Sequence, residues 1–169
     1  MIKIVGAKGD IQDVDSLLEK VGSFARNHNV NIQLLDADMI YGDIHLISAF
    51  EHAKRAMDRK TNTTNSLEME TLLYASGERQ LKLAIPKMGI KKGRANIAFV
   101  FIDQKSKITD NLVDEMLKLL NLKRDDQVIQ GDENTLKNFG ISKNQIETVT
   151  KAKYGDLILE KVAMVDIIK

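Results

Sequence analysis

The chain has no cysteine, which excludes a disulfide framework, thiol catalysis and any thiolate zinc site. It has a single proline, and no apolar run approaches the ~20 residues that would span a bilayer. The opening MIKIVGAKGD turns polar too soon for a secretory signal, so a cytoplasmic address is expected. An excess of one charge is missing too. A formal net charge of +1 gives no global electrostatic case for nucleic acid, and any such binding must come from a local patch. Aromatic side chains make up only 5% of the residues, which disfavours broad base stacking. What is present, 43% hydrophobic and 29% charged residues, suits a globular protein with one buried core. No repeat or linker divides it, so one domain over residues 1–169 is expected.

Hydrophobic spacing predicts an α+β fold, a small mixed sheet packed with several helices. MIKIVG reads as an opening strand, and Asp13 or Asp15 can cap a helix running to Asn27. NIQLL, Asn31 to Leu35, reads as a short strand. A long helix from Asp43 to Lys60 carries the stripe Leu46, Ile47, Phe50, Ala53, Ala56 and Met57. Asn65 and Glu68 have capping-box spacing, and Gly77 stands where a left-handed residue would stop the short helix between. A second helical stretch runs from Glu78 to Met88, stopping or kinking at Pro86. NIAFVFID is the strongest strand and is expected at the sheet centre. Thr109 or Asp110 caps the next helix, and QVIQ reads as a brief edge strand. Short helices are expected over residues 132–139 and 143–151. The stretch Asp156 to Ile168 is a helix with two stripes: Ile158, Val162 and Val165 on one, and Leu157, Met164 and Ile168 on another. So much apolar circumference belongs to a central helix or to one shared with a partner.

Few chemistries fit these residues. His45 and His52 lie seven apart on one helix, ~10 Å along its axis, too far to share a metal. Gly6 and Gly9 follow the first strand but lack the lysine and hydroxyl of a phosphate loop, so a strand-to-loop turn is the plainer reading. No serine sits in a GxSxG elbow, and Glu68 and Glu70, two apart on a helix, cannot form a dyad and are read as capping and solvated acids. Neither a cofactor nor a metal is expected, and no catalytic residue is assigned. Positive charge is concentrated locally: Lys54, Arg55, Arg59 and Lys60, then Arg79 and Lys82, then Lys91, Lys92 and Arg94. If packing brought these groups together they would form a phosphate-binding surface; apart, they are solvated helix faces. Tyr74 is the best-placed stacking aromatic, and it reads equally well as core.

Two stretches, DIHLISAFEHAKRAM at Asp43 to Met57 and NSLEMETLLYASGERQ at Asn65 to Gln80, together resemble the kinase-binding accessory subunit of the KEOPS complex, the TPRKB family, in its archaeal type. The likeness continues through AIPKMGI and NIAFVFID and weakens at both ends. The resemblance implies a non-catalytic subunit that docks on the small lobe of an atypical kinase-ATPase, which holds the threonylcarbamoyl-transferase subunit. That complex makes threonylcarbamoyladenosine in tRNA, and archaeal-type members are associated with capture of the tRNA 3′ CCA end. Under this reading Arg79 is the first choice for a phosphate contact, followed by Arg55, Arg59, Lys60, Lys82, Lys91, Lys92 and Arg94, with Tyr74 on a terminal base. Kinase docking needs a desolvated apolar centre, expected from Leu157, Met164 and Ile168 with Met69 and Leu73, all five of which equally suit a core. A stand-alone RNA-binding module and a small-molecule enzyme are the alternatives.

Overall fold

The computed structural model describes residues 1–103, 105 and 108–169. Its strands are β1 (Ile2–Ile11), β2 (Asn31–Asp36), β3 (Gly93–Ile102) and β4 (Lys123–Arg124). Its helices are α1 (Val14–His28), α2 (Gly42–Arg59), α3 (Leu67–Ser76), α4 (Leu81–Met88), α5 (Asp110–Leu119), α6 (Glu133–Phe139), α7 (Lys143–Glu147) and α8 (Tyr154–Ile168). The sheet order is β2-β3-β1-β4, and every pairing is antiparallel. The α+β class holds, but the sheet is not mixed. β1 and β2 do run the same way, as a β–α–β order suggests; β3 sits between them, and each pairs with it instead of with the other.

The central strand explains the layering. Along β3, Ile97, Phe99 and Phe101 point to one face and join α1 (Leu17, Val21, Phe24) and α5 (Val113, Met116, Leu117). The alternate residues Ala98, Val100 and Ile102 point to the other face and meet α2, α3, α6 and α8. Both faces of β3 are therefore buried, which is why it reads as a continuous apolar run. Among the described residues no helix is long and apolar enough to cross a membrane.

Several local expectations are corrected. β1 runs on through Gly6 and Gly9 with no turn there, and the chain around residues 122–128 passes so close that only glycine fits. A Cβ on Gly6 would lie 2.5 Å from the Asp125 carbonyl oxygen, and one on Gly9 2.5 Å from Leu122 Cδ2. QVIQ is no edge strand: the Asp125 carboxylate accepts from the Gln127 N–H and winds residues 126–129 into a 3₁₀ turn, leaving Lys123–Arg124 as the edge. Pro86 stays inside α4, which continues to Met88. The cap of α3 is Ser66, whose hydroxyl accepts from the Met69 N–H at 3.2 Å, and not an Asn65–Glu68 box. Asp13 and Thr109 cap α1 and α5, and Gly77 ends α3 with φ 71.

Candidate functional site

The three helices α2, α3 and α8 carry most of the residues the sequence singled out, and buried polar contacts fix how they sit. At the start of α2, His45 Nδ1 accepts the Tyr41 N–H at 3.1 Å, so Nε2 carries the proton and donates to the Ala75 carbonyl at 2.8 Å. Burial above all, with a smaller push from the Lys87 charge, drops the His45 pKa to about 4, so the ring is a neutral bolt. It ties the N-terminal end of α2 to the C-terminal end of α3. Two helical turns further along α2, His52 Nδ1 lies 2.7 Å from Asp166 of α8. Tyr41 packs against Gly155, so α2 and α8 run side by side in the same direction.

Tyr74 is fully buried and donates its hydroxyl to Asp166, with its ring stacked on His52. It is unavailable to a nucleotide base, and burial together with the Asp166 carboxylate lifts its hydroxyl far above the usual phenol range. Leu73 is likewise fully buried and cannot face a partner. Glu70, read from sequence as a solvated or capping acid, is 0% exposed. Its carboxylate accepts from the Thr63 and Thr64 N–H groups and the Thr64 hydroxyl and pairs with Lys169 at 2.6 Å. Burial pushes its pKa up, and these four donors together hold it below the usual value.

The basic residues do not converge. Arg55, Arg59 and Lys60 are exposed at the C-terminal end of α2. Arg79 and Lys82 are exposed beyond the far end of α3, ~15 Å away along a ten-residue helix. Lys91 is tied to Asp36 at 3.4 Å, and Arg94 lies in a separate cleft with Lys8 and Lys123, opposite Asp10 and Asp38. Lys92 is exposed between them. Packing instead adds two cations to the Arg79 corner that the sequence pattern did not. Lys87 pairs with Glu78 at 3.5 Å over the Phe139 ring, and Lys161 of α8 packs beside Gly77. Burial, and then the Lys161 charge, lowers the Lys87 pKa against the pull of Glu78. Only the eight-residue step from Arg79 to Lys87, across one turn and one short helix, could have hinted at this.

The stripes of α8 separate as their spacing implies. Ile158, Val162 and Val165 are 0% exposed, whereas Met164 and Ile168 are each 40% exposed and Leu157 is half-buried against the core. Ile167 is 76% exposed. On the neighbouring α2, Ile44 and Ile47 are exposed as well, so Ile47 leaves the core stripe assigned to it. Met69 faces elsewhere, into a groove beside β2. Among the described residues no group of three or more histidine or acidic side chains could hold a metal ion.

Fold and surface together define an α+β protein whose polar bolts are structural and whose exposed features are an apolar helix edge and a basic corner. A family model described as "Kinase binding protein CGI-121" matches residues 9–166, and the chain belongs to that family. It is also 26% identical over 147 residues to "Regulatory protein Cgi121" of Methanocaldococcus jannaschii, an alignment covering 85% of this chain and 88% of that protein.

Proposed function

We propose that this chain is a non-catalytic subunit of the KEOPS tRNA-modifying complex, docking on the small lobe of the atypical kinase-ATPase and helping to recruit tRNA by its 3′ CCA end. The kinase-binding family match across residues 9–166 carries this reading. The exposed edge of α8 supports it, since Met164 and Ile168 supply the apolar surface that a desolvated interface centre needs, with half-buried Leu157 two turns earlier on the same stripe. Replacing Met164 with Glu is expected to leave thermal unfolding nearly unchanged, because the side chain is partly in water, and to weaken kinase binding by about tenfold or more. A folded Met164→Glu variant that binds the kinase as well as the wild type places the interface on another face.

For tRNA the subunit acts as a tether. Holding the tail here raises the effective concentration of the anticodon loop at the transferase subunit, without chemistry on this chain. Arg79 and Lys82, with Lys87 and Lys161 behind them, supply the phosphate contacts. Arg55, Arg59 and Lys60, exposed at the end of α2, and the separately placed Lys91, Lys92 and Arg94 are weaker candidates for further phosphate contacts. tRNA lacking its CCA tail is expected to bind more weakly than intact tRNA in a filter-binding assay, and equal affinity refutes tail capture. Arg79→Ala is expected to lower affinity and to reduce the salt slope by about 1, the signature of one lost phosphate contact.

A further inference from the structure

The two edges of the sheet are treated differently. β4 is two residues long, Lys123–Arg124, and both side chains are charged, which discourages further pairing. β2 is six residues long and carries no charge before Asp36. Its hydrogen-bond phase follows from the register. Asp103 N–H donates to the Met1 carbonyl, so the polar groups of Ile97, Phe99 and Phe101 turn toward β1, and those of Ala98, Val100 and Ile102 toward β2. Asn31, Gln33 and Leu35 therefore bond to β3, and the backbone groups of Ile32 and Leu34 point outward. Among the described residues these outward groups meet no backbone partner; the Leu34 carbonyl alone is capped, by the amide of neighbouring Gln33 at 2.9 Å.

This edge lies at the bottom of a groove of about 1030 Å³ between the two helical layers, with Ile32 half-buried and Leu34 buried beside it. One wall is α1, with Leu18 and Val21; the other is α3 and α4, with Met69, Leu72, Ile85 and Pro86. Glu68 also lines it, and the Glu68 Oε2 atom is buried without a hydrogen-bond partner. A carboxylate with an unpaired oxygen in the wall favours an occupant that brings a donor or a cation. The nearby cations are engaged, Lys91 with Asp36 and Arg26 with the Ser23 hydroxyl.

We propose that the groove is a strand-addition site, taking an extended apolar segment of a partner polypeptide that carries a lysine or arginine. Main-chain groups of the segment pair with the Ile32 N–H and carbonyl and with the Leu34 N–H, and its cation meets Glu68. Leu18 and Val21 on one wall and Met69, Leu72, Ile85 and Pro86 on the other give both walls an apolar centre, so the segment carries apolar side chains on both faces, unlike a half-exposed strand. A second copy of the chain does not fit, because its own β2 edge is recessed between the same two walls. The groove is distinct from the exposed edge of α8, so this inference stands whether or not that edge docks a kinase.

A hexapeptide library displayed on phage, selected against the immobilised full chain, tests this. Enrichment of apolar runs containing one lysine or arginine is expected, with synthetic copies slowing hydrogen exchange at the Ile32 and Leu34 amides. N-methylation of alternate peptide amides, on wild-type protein, is expected to weaken binding tenfold or more. Ile32→Pro removes an outward donor without breaking the ladder and is expected to do the same; Glu68→Gln is expected to weaken the cationic peptides selectively. No enrichment, or enriched peptides indifferent to N-methylation, overturns the proposal. So does protection of the same two amides by an RNA oligonucleotide ending in CCA that displaces the peptides, which gives the groove to nucleic acid.

Discussion

Replacing Lys169 with Met is expected to lower the unfolding free energy by about 3 kcal/mol, the largest effect of any single change at an ion pair among the described residues. Glu70 is 0% exposed, and Lys169 is its only cation, at 2.6 Å, among the described residues. The remaining donors, from Thr63 and Thr64, satisfy the oxygens but leave a buried negative charge without a counterion. The pH dependence distinguishes this from lost packing. In the wild type the four donors hold the Glu70 pKa below its ordinary 4.5. Its contribution to stability is therefore present above pH ~4.5 and lost as pH falls through the folded value. Without Lys169 one of the four lowering donors is lost while burial still opposes the charge, so the folded value moves up and acidification costs the variant less. The gap between wild type and Lys169→Met in urea unfolding should narrow as pH falls from 7 toward 4. A gap constant with pH would mean that Lys169 acts through its aliphatic stem alone.

The pair also shows where a sequence reading ends. Helix and strand positions follow from short-range patterns, and these gave most elements to within a few residues: the buried stripe Ile158, Val162 and Val165, the central strand NIAFVFID and the Gly77 stop were all readable. Nothing within ten residues of Glu70 identifies a partner 99 positions away. The same holds for Tyr74, whose hydroxyl finds Asp166 on α8 and turns a candidate stacking residue into core. Leu73 fails as an interface residue because α3 is covered on nearly all sides, from Glu70 to Ser76. Met164 and Ile168 on α8 are apolar too but exposed, so only packing separates them from Leu73. The basic groups are exposed charges, and whether they converge depends on which end of α3 meets which end of α2. That geometry is set by His45 reaching Ala75, a contact across 30 residues. The sheet is a third case: pairing order is a long-range property, and β3 separating β1 from β2 has no local signal.

Acidification from pH 7.5 to 5 is expected to destabilise the wild type by about 2 kcal/mol through His45 alone. The ring is buried, and burial holds its folded pKa at about 4 against an ordinary 6.5. Between those values the unfolded chain binds a proton that the folded chain refuses, so stability rises with pH across the window. It is fully present above pH ~6.5 and lost as pH falls, reaching roughly 3 kcal/mol near pH 4. The lowered carboxylates Glu70 and Asp166 act in the same direction but only at lower pH, as they leave their ordinary range. His45→Gln isolates the ring: its amide can accept the Tyr41 N–H and donate to the Ala75 carbonyl without titrating. The difference between wild type and His45→Gln in urea unfolding should therefore shrink steadily between pH 6.5 and 5. A parallel pair of curves would mean that water or a shifted ring relieves the buried imidazole. Because this bolt joins α2 to the end of α3 just before Arg79, the loss is local before it is global, and hydrogen exchange should quicken first at residues 75–80. A corner that loosens in acid while the α1–α5 side of the sheet stays closed would identify His45 as the element holding the basic corner in place.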